Sequence, residues 1–259
     1  MKVKDVMTED VIFVDKDVDL KYVLKLMKKN NITKIPVVEE KKIVGIITDT
    51  TLALKLGSIR NRGVPASRLH ASSVVNKDIT IVTPDQDLKT ILSTVGEPGP
   101  TMLTVIENEE LIGVVTKADL LPLVNSHKQV NEIMREHIFS VSPDDRVVHA
   151  RRIMIDQNIA RLPVINNGIL IGVISDIDIT FALAKLKKSF PLGKQKHQLE
   201  ELLVNDAMQA PAIFIDAEKT VEDAAQLMIE ENIGCLPVIK NEKIVGILSR
   251  TDLVKTITL

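Results

Sequence analysis

The apolar residues of this chain recur in the same order four times. Each recurrence opens with a short apolar run that is typical of a β-strand, at residues 11–14, 79–82, 138–141 and 213–215. A stretch with apolar residues at positions i, i+3, i+4 and i+7 follows, as at Leu20, Val23, Leu24 and Met27, and this spacing predicts an amphipathic helix. Two more apolar runs around a polar turn predict a hairpin. A short final helix completes a βαββα unit.

The unequal spacing of the four units favours small domains over a solenoid. One glycine marks each hairpin, and successive marker glycines are 68, 59 and 74 residues apart by subtraction: Gly45, Gly113, Gly172 and Gly246. We place the units at residues 1–56, 65–124, 129–186 and 199–259. Because a unit of this size is marginally stable alone, we expect the four to associate as two pairs. The last linker, KKSFPLGKQKHQ, is basic, and it is either a solvated linker or a docking segment for an acidic partner.

Composition narrows the functional classes. The formal charge is −2, from 33 basic and 35 acidic residues, so no overall field attracts nucleic acid. One cysteine, Cys235, excludes an intrachain disulfide and a zinc cluster of thiolates, and no histidine pair has metal-ligand spacing. The first residues lack the apolar segment of a signal peptide, and no apolar run reaches the roughly 20 residues that span a bilayer. We therefore expect a cytoplasmic protein that does not insert into a membrane.

A polar motif follows each hairpin. It reads Gly, two apolar residues, Ser or Thr, two further residues and Asp, at residues 113–119, 172–178 and 246–252. In the first unit Thr51 stands where the Asp is expected. One interpretation is a capping box that only stabilises the helix start. The other is a ligand site, because free N–H groups at a helix start bind phosphate and a carboxylate can accept both hydroxyls of a ribose.

Taken together, these motifs resemble CBS domains, whose pairs are called Bateman modules. The resemblance rests on the phrase NI-x-x-[LI]-P-V, the hairpin and the motif G-h-h-[ST]-x-x-D (h, apolar), in that order, and it covers nearly the whole chain. It implies an α+β fold of four βαββα repeats arranged as two tandem Bateman modules. The layout is similar to that of the gamma subunit of AMP-activated kinase and of stand-alone archaeal CBS proteins. The resemblance also implies clefts between paired repeats that bind AMP, ADP, ATP or S-adenosyl compounds.

The resemblance assigns roles to particular residues. The carboxylates of Asp119, Asp178 and Asp252 would hold ribose. The hydroxyls beside them, or in the equivalent place, belong to Thr116, Ser175, Ser249 and, in the first repeat, Thr48. A phosphate-binding cation is implied at Arg161 and at its counterpart Lys34. Residues that would enclose the base are Val11, Ile79, Ile138, Ala212 and Ile213.

Departures from the pattern make the repeats unequal. The first repeat has Thr51, and the second lacks the proline and carries the insert GEPGP at residues 96–100. Repeats three and four therefore keep the more complete motifs. Arg151 interrupts the apolar helix stripe of the third repeat. It is either a snorkelling side chain or part of an interface ion pair, or else a phosphate contact.

These observations lead to one main hypothesis and two alternatives. The main hypothesis is a non-catalytic regulatory protein that binds an adenosine nucleotide and signals to a regulated protein in trans. The alternatives are an interaction scaffold without a ligand and a sensor of S-adenosyl compounds. Homodimerisation, the identity of the ligand and the number of ligands stay open.

Overall fold

The computed structural model describes residues 1–58, 64–98, 101–189 and 201–259. Repeats 1, 2 and 4 have the order strand, helix, hairpin, helix, and repeat 3 has the same order without a full opening strand. Repeat 1 contains β1 (Val14–Asp15), α1 (Leu20–Asn30), β2 (Lys34–Glu39), β3 (Lys42–Thr48) and α2 (Asp49–Leu56). Repeat 2 contains β4 (Thr80–Val82), α3 (Lys89–Val95), β5 (Met102–Glu107), β6 (Glu110–Thr116) and α4 (Lys117–Leu120). Repeat 3 contains α5 (Val147–Asp156), β7 (Arg161–Asn166), β8 (Ile169–Ser175) and α6 (Asp176–Ser189). Repeat 4 contains β9 (Ile215–Asp216), α7 (Val221–Glu230), β10 (Cys235–Lys240), β11 (Lys243–Ser249) and α8 (Arg250–Val254).

The predicted helices and hairpins are confirmed, whereas the opening strands are shorter than predicted. In repeat 3 the expected strand at residues 138–141 is reduced to a single bridge between Val141 and Val164. In repeats 1 and 4 only the last residue of the apolar run enters the strand. The preceding residues, such as Ile12 and Ile213, line a cavity instead of pairing with a neighbouring strand.

Local sequence explains why the same elements recur. The helix stripe of Leu20, Val23, Leu24 and Met27 is buried as its spacing predicts. The asparagine of the NI phrase takes a left-handed conformation after each of three helices, as Asn31 does with φ 50°, and so ends the helix. Each hairpin turn has positive φ at both central residues, the geometry that matches the right-handed twist of a two-stranded ribbon.

Paired repeats exchange their leading segments, which are residues 1–8, 71–76, 130–135 and 204–209. The first leading segment packs on repeat 2, where the N–H of Val3 donates to the carbonyl of Gln86 at 3.0 Å. The second packs on repeat 1, and the third and fourth make the same exchange between repeats 4 and 3. The expectation of two pairs is therefore confirmed as repeats 1 with 2 and 3 with 4, and neither member of a pair is complete without the other.

The exchange explains the glycine of the motif. Each leading segment crosses the second hairpin strand of its partner at this residue. A β-carbon on Gly246 would lie 2.5 Å from Sδ of Met134, and one on Gly172 would lie 2.6 Å from the backbone oxygen of Gln209. A side chain at Gly172 would therefore force the crossing backbone to shift, and one at Gly246 would displace the end of the Met134 side chain.

Helices join the two pairs. Helix α2 packs against α6, and α4 packs against α8, so that repeat 1 faces repeat 3 and repeat 2 faces repeat 4. One apolar core runs through repeats 1 and 3 and includes Leu52 and Leu56 from α2 and Ile179 and Leu183 from α6. None of the helices in the described ranges is long and apolar enough to cross a membrane.

Arg151 lies at this interface and not among the residues that line the cavities described below. A β-carbon at Gly57 would lie 2.4 Å from its Nη1, so the guanidinium rests against the C-terminal end of α2. Cations are favoured at that end of a helix dipole. The interface interpretation of Arg151 therefore fits the structure better than a phosphate contact. The basic linker cannot be placed in the same way, because its residues 190–198 lie outside the described residues, as do residues 99–100 of the GEPGP insert.

Candidate functional site

A cavity of about 970 Å³ lies where the four repeats meet. Its lining contains most of the residues that the sequence singled out, drawn from both pairs: Lys34, Thr116, Asp119, Arg161, Ser175, Asp178, Ala212 and Ile213, together with Val11. We call it the large cavity. The ribose-type carboxylates of repeats 2 and 3 therefore share one space, although they belong to different pairs.

A second cavity, of about 190 Å³, contains the motif of repeat 4. Its lining includes Ser249 and Asp252, and it also includes Lys34, Thr116 and Arg161. We call it the small cavity. These three residues are among eight that line both cavities, so the two cavities adjoin.

Three of the predicted residues do not line either cavity in the described part of the chain: Thr48, Ile79 and Ile138. Thr48 is buried, and its hydroxyl accepts from the N–H of Thr51 at 3.1 Å. The capping box of repeat 1 is therefore closed on itself. Ile138 precedes the single bridge of repeat 3 and is half-buried.

Each motif carboxylate uses one oxygen to cap its helix. Oδ2 of Asp119 accepts from the backbone N–H and the hydroxyl of Thr116, both at 2.7 Å. Oδ2 of Asp178 accepts the same two donors of Ser175, and Oδ2 of Asp252 those of Ser249. The capping interpretation is thus correct for one oxygen of each carboxylate.

The other oxygen, Oδ1, faces the exchanged leading segment. It accepts from Thr8 Oγ1 at 2.6 Å in Asp119, from Gln209 Nε2 at 2.7 Å in Asp178 and from Arg135 Nε at 3.1 Å in Asp252. These three donors occupy equivalent positions, each directly after a methionine. The three donor residues are exposed, so each of these hydrogen bonds lies at the surface of its leading segment.

Three cations line the same cavities as the carboxylates. Arg250, which lines both cavities, joins Lys34 and Arg161 there. Burial, and then the charge of Arg161, lower the pKa of Arg250 to about 10. Burial also lowers the pKa of Lys34, where the charge of Asp49 opposes the shift and those of Arg161 and Arg250 add to it. The three positive charges therefore repel one another in a half-buried space, which favours an anion among them.

Two details of local structure hold this cluster. A β-carbon at Gly234 would lie 2.8 Å from Cζ of Arg161, so the guanidinium of repeat 3 rests on the bare backbone of repeat 4. Arg250 donates from Nη2 to Oδ1 of Asn232 at 3.1 Å, while its buried Nε has no hydrogen-bond partner among the described residues. A buried donor of this kind is suited to an incoming acceptor.

Sequence reasoning missed the residues that only the exchange brings into place. These are the leading-segment donors Thr8, Arg135 and Gln209. Sequence reasoning also missed Arg250 and Gly234, which lie outside the leading segments. A signal for the donors was present, because a polar residue follows the methionine in three leading segments. Arg250 lies within the motif at residues 246–252, but only the packing of α4 against α8 brings it to the cavities.

Comparison with known proteins agrees with this architecture. The model of the CBS domain matches the chain at residues 3–58, 71–126, 130–185 and 204–259. The protein MJ1404 of Methanocaldococcus jannaschii is 26% identical over 265 residues, which cover 98% of this chain and 61% of MJ1404. This chain thus spans about three-fifths of that relative. MJ1426 of the same organism is 30% identical over 186 residues, which cover 71% of this chain and 91% of MJ1426.

A solved structure shows the same fold over nearly the whole chain. It is that of MJ1225 of M. jannaschii, described as a candidate archaeal homologue of g-AMPK. The TM-score is 0.84 at 20% identity, with 98% of this chain and 99% of that chain covered. The four-repeat layout expected from the motifs is confirmed. The chain belongs to the CBS-domain family, and its four repeats form two Bateman modules.

Proposed function

We propose that this protein is a non-catalytic regulator that binds adenosine nucleotides of the AMP, ADP or ATP type. The observation that carries the proposal is the large cavity, which joins two ribose-type carboxylates, Asp119 and Asp178, to the cations Lys34, Arg161 and Arg250. A nucleotide presents a diol and an anion a few ångströms apart, and these two kinds of side chain match them.

The proposed roles follow from the chemistry of each group. The Oδ1 atoms of Asp119 and Asp178 would accept ribose hydroxyls, displacing Thr8 and Gln209. The three cations would hold the phosphates. Ile213, Ala212 and Val11 would offer apolar surface to the base. An S-adenosyl compound is a weaker candidate, because it brings a sulfonium cation and no phosphate towards the positive cluster.

A route to signalling is built into the placement of the cations. Lys34 belongs to the first module, whereas Arg161 and Arg250 belong to the second. A phosphate bound by both modules would favour one relative orientation of α2 and α6, and so shift a conformational equilibrium. The change would be read by a protein partner acting in trans.

Calorimetry with AMP, ADP, ATP and S-adenosylmethionine tests the proposal. A ligand at 100 times its Kd should stabilise the fold by about 2.7 kcal/mol. We expect heat and a rise in Tm with at least one of the nucleotides. Absence of both with all four compounds would refute nucleotide binding and leave an interaction scaffold as the better explanation.

The chain offers a matched control for the carboxylate. Asp223 forms the same capping box with Thr220 at the start of α7, yet it lines neither cavity. We expect Asp178→Asn to weaken AMP binding about tenfold, because a charged acceptor of the ribose is lost. Asp223→Asn should cost about 0.3–1 kcal/mol of stability and leave AMP affinity unchanged. If both variants bind AMP like the wild type, Asp178 does not hold ribose.

A further inference from the structure

The three Asp copies differ in the charge of the group that holds Oδ1. Asp119 is held by the hydroxyl of Thr8 and Asp178 by the amide of Gln209, and both donors are neutral. Asp252 is held by the guanidinium of Arg135, which makes it an ion pair with an Nε–Oδ1 distance of 3.1 Å. Repeat 4 therefore differs from repeats 2 and 3 at the very atom that a ribose would use.

This difference comes from the side chain and not from the backbone. The donor residue makes the same antiparallel bridge in each copy: Thr8 with Val114, Gln209 with Val173 and Arg135 with Ile247. In each copy the preceding methionine also packs against the motif glycine. The three sites thus share one backbone geometry and differ only in the donor side chain, which carries a hydroxyl, an amide or a guanidinium.

The environment makes the ion pair hard to displace. The side chain of Asp252 is only 10% exposed, whereas that of Arg135 is 48% exposed. Oδ2 of Asp252 is already engaged by the hydroxyl of Ser249 at 2.5 Å and by its N–H at 2.9 Å. A diol must therefore compete for Oδ1 alone, and a charge-assisted hydrogen bond is about twice as strong as a neutral one.

We propose that Arg135 is a specificity-determining residue that holds Asp252 against ribose, so that the small cavity binds AMP more weakly than the Asp119 and Asp178 sites. This inference rests on the proposed nucleotide function. It implies that the two cavities fill at two different nucleotide concentrations. The large cavity fills at low nucleotide concentration, and the Asp252 site fills only when the concentration is high enough to break the ion pair.

A reciprocal exchange of side chains tests this role. Arg135→Gln places an amide, like that of Gln209, opposite Asp252. Gln209→Arg places a guanidinium, like that of Arg135, opposite Asp178. In AMP titrations by calorimetry, we expect Arg135→Gln to strengthen the weak phase by roughly fivefold to tenfold. Gln209→Arg should weaken part of the strong phase by a similar factor. Asp252→Asn identifies the weak phase by removing it.

Arg146→Gln is the control for the loss of one positive charge. Arg146 pairs with Glu201 at 3.0 Å and lines neither cavity, so its replacement should leave both phases unchanged. If Arg135→Gln weakens the weak phase of AMP binding further, Arg135 contacts the ligand. If that phase is unchanged, Arg135 does not compete with ribose for Asp252. Either result overturns the inference while nucleotide binding stands. If the folded wild type binds no AMP in any phase, the proposed function fails and the inference fails with it.

Discussion

The buried carboxyl of Asp176 should make the packing of the two modules depend on pH. Asp176 begins α6 at the interface with α2, is 6% exposed, and accepts from the hydroxyl of Thr50 at 2.8 Å. Burial is the main cause that raises its pKa from 3.8 to about 6, and the charge of the buried Asp49 also raises it. Thr50, Arg161 and Arg151 act in the opposite direction but do not cancel the shift.

The sign and size of the effect on stability follow from the difference between the pKa of Asp176 in the folded protein and in the unfolded chain. The folded protein binds the Asp176 proton more tightly than the unfolded chain does. The contribution of the protonated carboxyl is therefore fully present below about pH 4 and is lost as the pH rises through about 6. A pKa difference of this size corresponds to a loss of roughly 3 kcal/mol in the free energy of unfolding above pH 6.

Asp176→Asn should remove this cost, because the amide oxygen can still accept from Thr50 and carries no charge. We expect the variant to exceed the wild type in free energy of unfolding by about 1–3 kcal/mol at pH 8 and to match it at pH 4. Urea denaturation followed by circular dichroism at pH 4, 6 and 8 measures the difference. The exposed carboxyl of Asp144 in the same repeat serves as control, and Asp144→Asn should show no such trend. A variant that is less stable than the wild type at pH 8 would refute the reasoning, since it would mean that the cations outweigh burial.

Three further predictions concern single side chains. Gly172→Ala places a β-carbon 2.6 Å from the backbone oxygen of Gln209, so it should lower the free energy of unfolding by about 1–3 kcal/mol in chemical denaturation. Gly234→Val should push the guanidinium of Arg161 from its place and weaken AMP binding in calorimetry, while Tm changes little because that guanidinium is the end of a flexible side chain. Glu109→Gln removes an exposed ion pair with the hairpin of repeat 1 and should leave Tm unchanged; a clear loss would contradict the weak role of such surface pairs.

Much of the fold could be predicted because its signals are local. The stripe from Leu20 to Met27 and the Asn31 turn depend on residues within one or two helical turns, so their spacing is readable. The opening strand of repeat 3 could not be predicted in the same way. Residues 138–141 are apolar enough for a strand, yet only Val141 finds a partner, and the choice is made by non-local packing.

The candidate site could likewise be predicted only where its signals are local. The motif predicted the same ribose-binding role for Asp119, Asp178 and Asp252, because the motif is local. What distinguishes them is the leading segment of the paired repeat, more than a hundred residues away in the case of Thr8 and Asp119. Thr48 illustrates the converse, since its hydroxyl fits the motif but is used up inside its own helix cap.

The exchange of leading segments has a consequence for how such a chain can be divided or enlarged. A fragment cut to contain one repeat would carry a segment whose docking groove is missing, and would present an empty groove of its own. Two such fragments could restore each other only by meeting as separate molecules. The smallest piece that can be moved between proteins as a working part is therefore a pair of repeats, and a gene that gains a single copy gains a half without its counterpart.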